Sequence, residues 1–260
     1  MKHLIYFIVI FLSNTIGSIA GLGGGVIIKP MLDMLAYDPL STITIYSSIA
    51  VFAMSISSTY KQIRNGVSIN YIKSFMLAIG SVLGGFLGNE VFNILFSHPS
   101  LSSTHVLLIQ IVLSVLSLLL VLFYNQYGKK SYHLTSNVIY LLTGIFLGSF
   151  STLLGIGGGP INVTVLIILF SLQMKEAVVY SIITIFFSQL SKLISVYLAT
   201  QFHSIDLSIL VVILPAAFIG GYLGGYISKR LDDSKVKQLY KYIVVVVILI
   251  NLYNAVVVLV

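Results

Sequence analysis

From residue 131 to residue 174 the chain runs 44 residues without an Asp, Glu, Lys or Arg. A helix that crosses the hydrocarbon of a bilayer needs about 17–25 residues. The stretch is therefore too long for one span and must cross twice, or enter and turn back. The turning point is visible at Gly155-Ile156-Gly157-Gly158-Gly159-Pro160. Three successive glycines followed by proline interrupt a helix, through backbone freedom and then a missing N–H. The rest of the chain is nearly as poor in charge. Only 8% of its 260 residues are charged and 58% are hydrophobic, where an ordinary soluble domain carries about 25% charged residues. So few charges cannot cover a soluble surface, which excludes soluble enzymes, nucleic-acid binders and disordered chains. The expected fold class is an all-α polytopic membrane protein. At about 20 residues per span the chain holds roughly 8–10 membrane elements and no soluble domain.

The formal net charge is +7. Its basic residues sit in short loops, as positive-inside topology signals do. Cysteine is absent, which removes disulfides, thiolate chemistry and Cys-ligated metal. Tryptophan is absent too, so 16 Tyr and 15 Phe must supply any interfacial belt. Lys2 and His3 before an apolar run resemble the start of a signal peptide, but no A-x-A site follows. The run is read as a retained first element.

Apolar stretches fall at about 4–28, 39–60, 74–89, 106–124, 137–174, 177–199, 207–228 and 242–260. The first contains a glycine break like that of the fifth: Gly21-Leu22-Gly23-Gly24-Gly25, with Pro30 beyond. A shift of 134 superposes the two glycine runs. It also aligns Ile27 with Ile161, Leu32 with Leu166, Tyr46-Ser47 with Tyr180-Ser181, Phe52 with Phe186 and Ser57 with Ser191. A shift of 136 aligns 84–88 with 220–224. The chain reads as two duplicated transmembrane repeats, 1–128 and 129–260. Broken helices at matching positions of two repeats point to a transporter.

Charge decides the relation between the repeats. The basic loops are 61–73, 128–133 and 229–241. If each broken element crossed once, the third loop would lie opposite the other two. If each makes two legs with no net crossing, all three share the cytoplasmic side, as the positive-inside rule prefers. Each repeat then has five legs: a re-entrant or half-helix element plus about three or four spanning helices. Five is odd, so the repeats are inverted. Residues 26–37 are too few for a span and are expected to pack inside the protein.

At these residues the sequence resembles a known family. The pattern Gly-x-Gly-Gly-Gly-x-x-x-x-Pro-x-Leu over 21–32 is similar to the signature of the sulfite exporter TauE/SafE family, and 155–166 is a second, similar copy. The resemblance covers nearly the whole chain, including its length and duplicated halves. The second copy departs in one place: Thr164 stands where Pro30 stands in the first, and Pro160 comes earlier. The resemblance implies a plasma-membrane carrier, an exporter, for sulfite, organosulfonates or related sulfur-containing anions. That substrate identity comes from the resemblance alone.

The residues themselves reach a compatible place. Glycines let successive N–H groups turn toward one point, and a helix starting after them presents unpaired donors and its positive dipole end. An oxyanion is well held there. The substrate-binding candidates are Gly23, Gly24, Gly25, Gly157, Gly158 and Gly159, with Asn14, Ser18, Thr152 and Asn162 flanking the breaks. Against this stands helix packing, the ordinary reason for membrane glycines and the reading given to the ladders at Gly80/Gly84/Gly88 and Gly220/Gly224. Neither glycine run has the Gly-Lys-Ser/Thr of a phosphate loop or the sixth-position glycine of a dinucleotide fingerprint. No cofactor or nucleic-acid partner is expected, only a small anion and the lipid bilayer.

Ser47 and Ser181 are repeat equivalents and join the candidates, although serine in such helices usually bonds its own backbone. Lys192 is an ionisable group in an apolar stretch, a functional hypothesis by default, or a side chain snorkelling to an interface. Lys29, just past the first glycine run, either senses the anion or marks an aqueous cavity. Asp33, Asp38 and Glu90 lie near segment ends and give a carboxylate relay little support. An intramembrane enzyme lacks a base, since His3, His98, His105, His133 and His203 are all near ends, and no cluster suits a metal. The function expected is a secondary transporter of small sulfur-containing anions by alternating access. The alternatives are an anion channel or a carrier of another small organic anion.

Overall fold

The computed structural model describes residues 1–67, 69–97, 102–128, 131–156, 158–200 and 205–259. Gly157, Lys129 and Lys130 lie outside the described residues. Among those described there are ten α-helices and no strand: α1 (Lys2–Ala20), α2 (Gly25–Leu35), α3 (Leu40–Arg64), α4 (Tyr71–Ser97), α5 (Ser103–Tyr127), α6 (Asn137–Leu153), α7 (Pro160–Phe170), α8 (Met174–Thr200), α9 (Leu207–Arg230) and α10 (Asp233–Leu259). Seven of them, α1, α3, α4, α5, α8, α9 and α10, are long and apolar enough to cross a membrane. The protein is an all-helical, multi-pass membrane protein. The 44-residue uncharged stretch resolves into α6 and α7, broken at the glycines.

α1 and α2 form a hairpin that leaves and returns at one end of the bundle. Lys2 Nζ pairs with Asp38 Oδ1 at 2.8 Å, and Tyr6 donates its hydroxyl to Asp38 Oδ2 at 2.5 Å. Asp206 is at this end as well, since its N–H donates to the Tyr46 hydroxyl at 3.1 Å. Its carboxyl caps α9 by accepting from Ser208 N–H, which holds it below the usual carboxylate range, with His3 and Lys2 adding to the effect.

α6 and α7 form a second hairpin, closed at its mouth where Tyr132 and Leu134 donate N–H to the carbonyls of Ile168 (2.6 Å) and Leu169 (3.0 Å). That mouth lies at the other end. There a cavity of about 410 Å³ is lined by Gln62, Asn65, Gln173, Lys175, Lys229 and Asp233. A neighbour of about 400 Å³ brings Gly128 beside Asp233 and Lys237. The described parts of all three basic loops therefore share one end.

Exchanging the halves maps the most extensive helix packings onto one another. α1 packs on α9 as α6 packs on α4, and α3 packs on α9 as α8 packs on α4. α3 against α8 and α5 against α10 are their own counterparts. Phe52 and Phe186, equivalent under the 134 shift, stack at 5.0 Å between ring centroids. The bond of Tyr46 to Asp206 has its counterpart where the Tyr180 hydroxyl accepts from Asn70 N–H at 2.8 Å. The two equivalent bonds lie at opposite ends. The glycine ladders do pack helices. A Cβ on Gly80, Gly84 or Gly88 would run into the carbonyls of Leu141, Ile145 or Ser149 on α6, and Gly220 and Gly224 face α1.

Candidate functional site

α1 stops because Gly21 adopts a left-handed conformation (φ 70) that returns its N–H to Gly17 O. Gly155, its equivalent, has φ 68. Each stop is followed by a short helix, and the starts of the two short helices meet in the interior. A Cβ on Gly25 would fall on the Ile156 carbonyl, and one on Gly159 would stand 3.6 Å from Val26. Gly155 faces Thr44 and, at 3.3 Å from its Cβ position, Lys29 Cε. α2 and α7 are both 11 residues long, and neither start carries a side-chain cap. Two positive helix ends thus point into one buried place. The copies differ in detail. Pro160 opens α7, where a missing N–H costs nothing, whereas Pro30 sits inside α2.

Polar side chains gather around the tips. Asn14 on α1 lies against Gly24, and the Asn162 amide nitrogen lies 3.4 Å from the Cβ position of Gly158. Both asparagines are fully buried, and neither amide oxygen nor nitrogen has a hydrogen-bond partner. The Ser47 hydroxyl, also buried and unpartnered, stands 3.0 Å from the Cβ position of Gly25. Native proteins leave few buried polar atoms unpaired, so this concentration singles out the tips.

Other sequence candidates have structural partners. Ser181 donates to Gly21 O at 2.6 Å and fixes the first tip. Ser18 bonds Ser58 Oγ at 2.7 Å and Gly221 O at 3.0 Å. Thr152 bonds back to Gly148 O at 3.0 Å. Thr184, Ser188, Ser191 and Ser195 on α8 likewise bond their own helix. Lys192 does not snorkel. It is 1% exposed, its ammonium has no hydrogen-bond partner, and the Phe92 ring centroid lies 6.0 Å away.

The sequence reading passed over Gln189 and placed Asp33 near a segment end. Gln189, fully buried with both amide atoms unpartnered, sits four residues after Ile185, which packs on Gly158, and three before Lys192. Helical spacing puts all three on one face of α8, a signal available in the sequence. Asp33 is not at an exposed end: its carboxylate pairs with Lys29 Nζ at 2.7 Å, both side chains buried. The i,i+4 spacing of that pair was readable as well.

The tips are held from outside. On α10, Asn254 donates to Pro30 O at 2.8 Å, and the Tyr240 hydroxyl reaches Pro160 O and Thr164 Oγ1. On α5, Gln110 donates to Leu153 O at 2.9 Å. The crevice against Gly158, Gly159, Ser117 and Ser151 is about 10 Å³, room for about one water. That crevice lies behind the second tip; the tips themselves are closed on each other through Gly25 and Ile156.

The family model for the sulfite exporter TauE/SafE family matches residues 6–253. A relative in Bacillus subtilis (strain 168), "Probable membrane transporter protein YunE", is 23% identical over 95% of this chain and 96% of its own length. No solved structure matches. The uncharged stretches, the duplicated glycine breaks and the family match agree: the chain belongs to the sulfite exporter TauE/SafE family of membrane transporters.

Proposed function

We propose that this protein is a secondary carrier that exports small sulfur-containing anions, such as sulfite or organosulfonates, across the plasma membrane by alternating access. One observation carries the reading: two uncapped helix starts converge where Asn14, Ser47 and Asn162 hold unpartnered polar atoms. Backbone and amide donors around a point suit the three or four oxygens of a sulfur oxyanion. The first tip already touches the second, since a Cβ on Gly25 would fall on the Ile156 carbonyl, so the tips must part for an anion to enter. A site that closes fits a carrier better than a conductive channel.

The halves are read as inverted repeats about this site. Support comes from hairpins whose mouths lie at opposite ends and from the equivalent bonds Tyr46–Asp206 and Tyr180–Asn70. The basic end, with loops 61–73, 128–133 and 229–241, is assigned to the cytoplasm. The cavity of about 410 Å³ there has Gln62 in its wall, which donates to Ser18 O at 3.3 Å, close below the first tip. On this reading it is the approach for cargo leaving the cell.

Purified protein in proteoliposomes is expected to show saturable flux of sulfite or a sulfonate that discriminates among anions. Absence of flux for sulfite and for every sulfonate tried would overturn the carrier reading. The native chain has no cysteine, so topology is directly testable. Single cysteines at positions 61 and 235 are expected to label from the cytoplasmic side with an impermeant reagent, and one at position 2 from the opposite side. Labelling of positions 61 and 235 from opposite sides, or of all three from one side, would end the inverted-repeat assignment.

A further inference from the structure

Three ionisable side chains lie buried in the interior: Lys29 and Asp33 on α2, with Lys29 against Gly155 of the second tip, and Lys192 on α8. Lys29 and Asp33 neutralise each other at 2.7 Å. Lys192 has no counter-ion, only the face of Phe92. Lys29 packs on Gly155, and Thr152, one turn before that glycine, packs on Gly88, one turn before Phe92. Among the described residues no other charge compensates Lys192. Glu90 on α4 is exposed, and Asp38 is paired with Lys2 at the end of the bundle. The repeat does not reproduce this group. The equivalents of Lys29, Asp33 and Lys192 are Val163, Ile167 and Ser58, so the charge was placed on a scaffold that does not require it.

With Lys192 protonated, the formal sum of the group is one positive charge. An uncompensated ammonium away from water is costly, and a single negative charge brought to it removes that cost. A second negative charge would leave the closed interior with an unpaired anion and restore the penalty with opposite sign. Resting on the carrier reading above, we infer that the site selects singly charged sulfur oxyanions, the sulfonate or hydrogensulfite type, over doubly charged ones such as sulfate. Lys192 supplies the neutralising charge, and Asp33 fixes the count at one by cancelling Lys29.

Methanesulfonate and sulfate make the test, because both are tetrahedral at sulfur and they differ by one charge. In proteoliposomes the wild-type protein is expected to show a KM for methanesulfonate about ten-fold below that for sulfate. Asp33→Asn leaves two uncompensated ammoniums and is expected to move the ratio toward sulfate by about ten-fold. Lys192→Gln removes the charge and is expected to weaken methanesulfonate by a similar factor. Equal KM values for the two anions in the wild type would overturn the inference, as would a ratio unmoved in variants that still transport. Should a variant fail to fold, ligand-dependent thermal stabilisation of the wild type by the two anions gives the same ratio. Flux without charge preference leaves the carrier reading standing, whereas no flux of any sulfur anion removes both.

Discussion

Replacing Gly25 with valine is expected to lower transport by about 100-fold or more, the factor that about 3 kcal/mol represents, while the chain still inserts in the membrane. Insertion depends on the long apolar helices, and Gly25 belongs to none of the seven. On the proposed reading, transport depends on the two tips meeting. A Cβ on Gly25 would land on the backbone carbonyl of Ile156 in the other half and crowd Ser47 Oγ at 3.0 Å. A side chain can rotate away from such a collision, but a backbone carbonyl cannot, so the tips themselves must separate. Flux measured beside a count of correctly inserted protein checks the prediction. Wild-type flux from Gly25→Val would mean that the tips do not form the anion site.

Asn162→Leu is expected to move stability and transport in opposite directions. Leucine is close to asparagine in shape but has no polar atoms. Asn162 is fully buried with neither amide atom partnered, and a buried unsatisfied group costs about 1–3 kcal/mol. Removing it should therefore raise the unfolding free energy by about 1–2 kcal/mol and raise the melting temperature in detergent. If the amide is there for the anion, flux should fall at least about ten-fold. A substitution that lowered the melting temperature would show that Asn162 is structural.

Most of the fold was legible because a membrane constrains a chain more than water does. Uncharged length gave the spans, and residues 131–174, too long for one helix, gave the second hairpin. The glycine runs marked where both hairpins turn, and the three basic loops marked the end they share. The site was less legible, because sequence shows which residues are polar but not which are already satisfied. Ser18, Thr152 and Ser181 looked equivalent to Ser47 and Asn162 until their partners were visible. Asp33 looked terminal because α2 is short. Its depth comes from α2 lying inside the bundle, with α10 packed against it, which no local pattern announces.

α10 touches both hairpins at repeat-equivalent places, through Asn254 at Pro30 and through Tyr240 at Thr164. The two attachment points are 14 residues apart along one rod, about 21 Å. A rod gripped at two heights acts as a balance beam. When it tilts about a point between them, its ends move in opposite senses, drawing one half-helix outward as the other is pushed in. The two half-helices are thereby coupled through one rigid element, and a displacement of α10 reaches both.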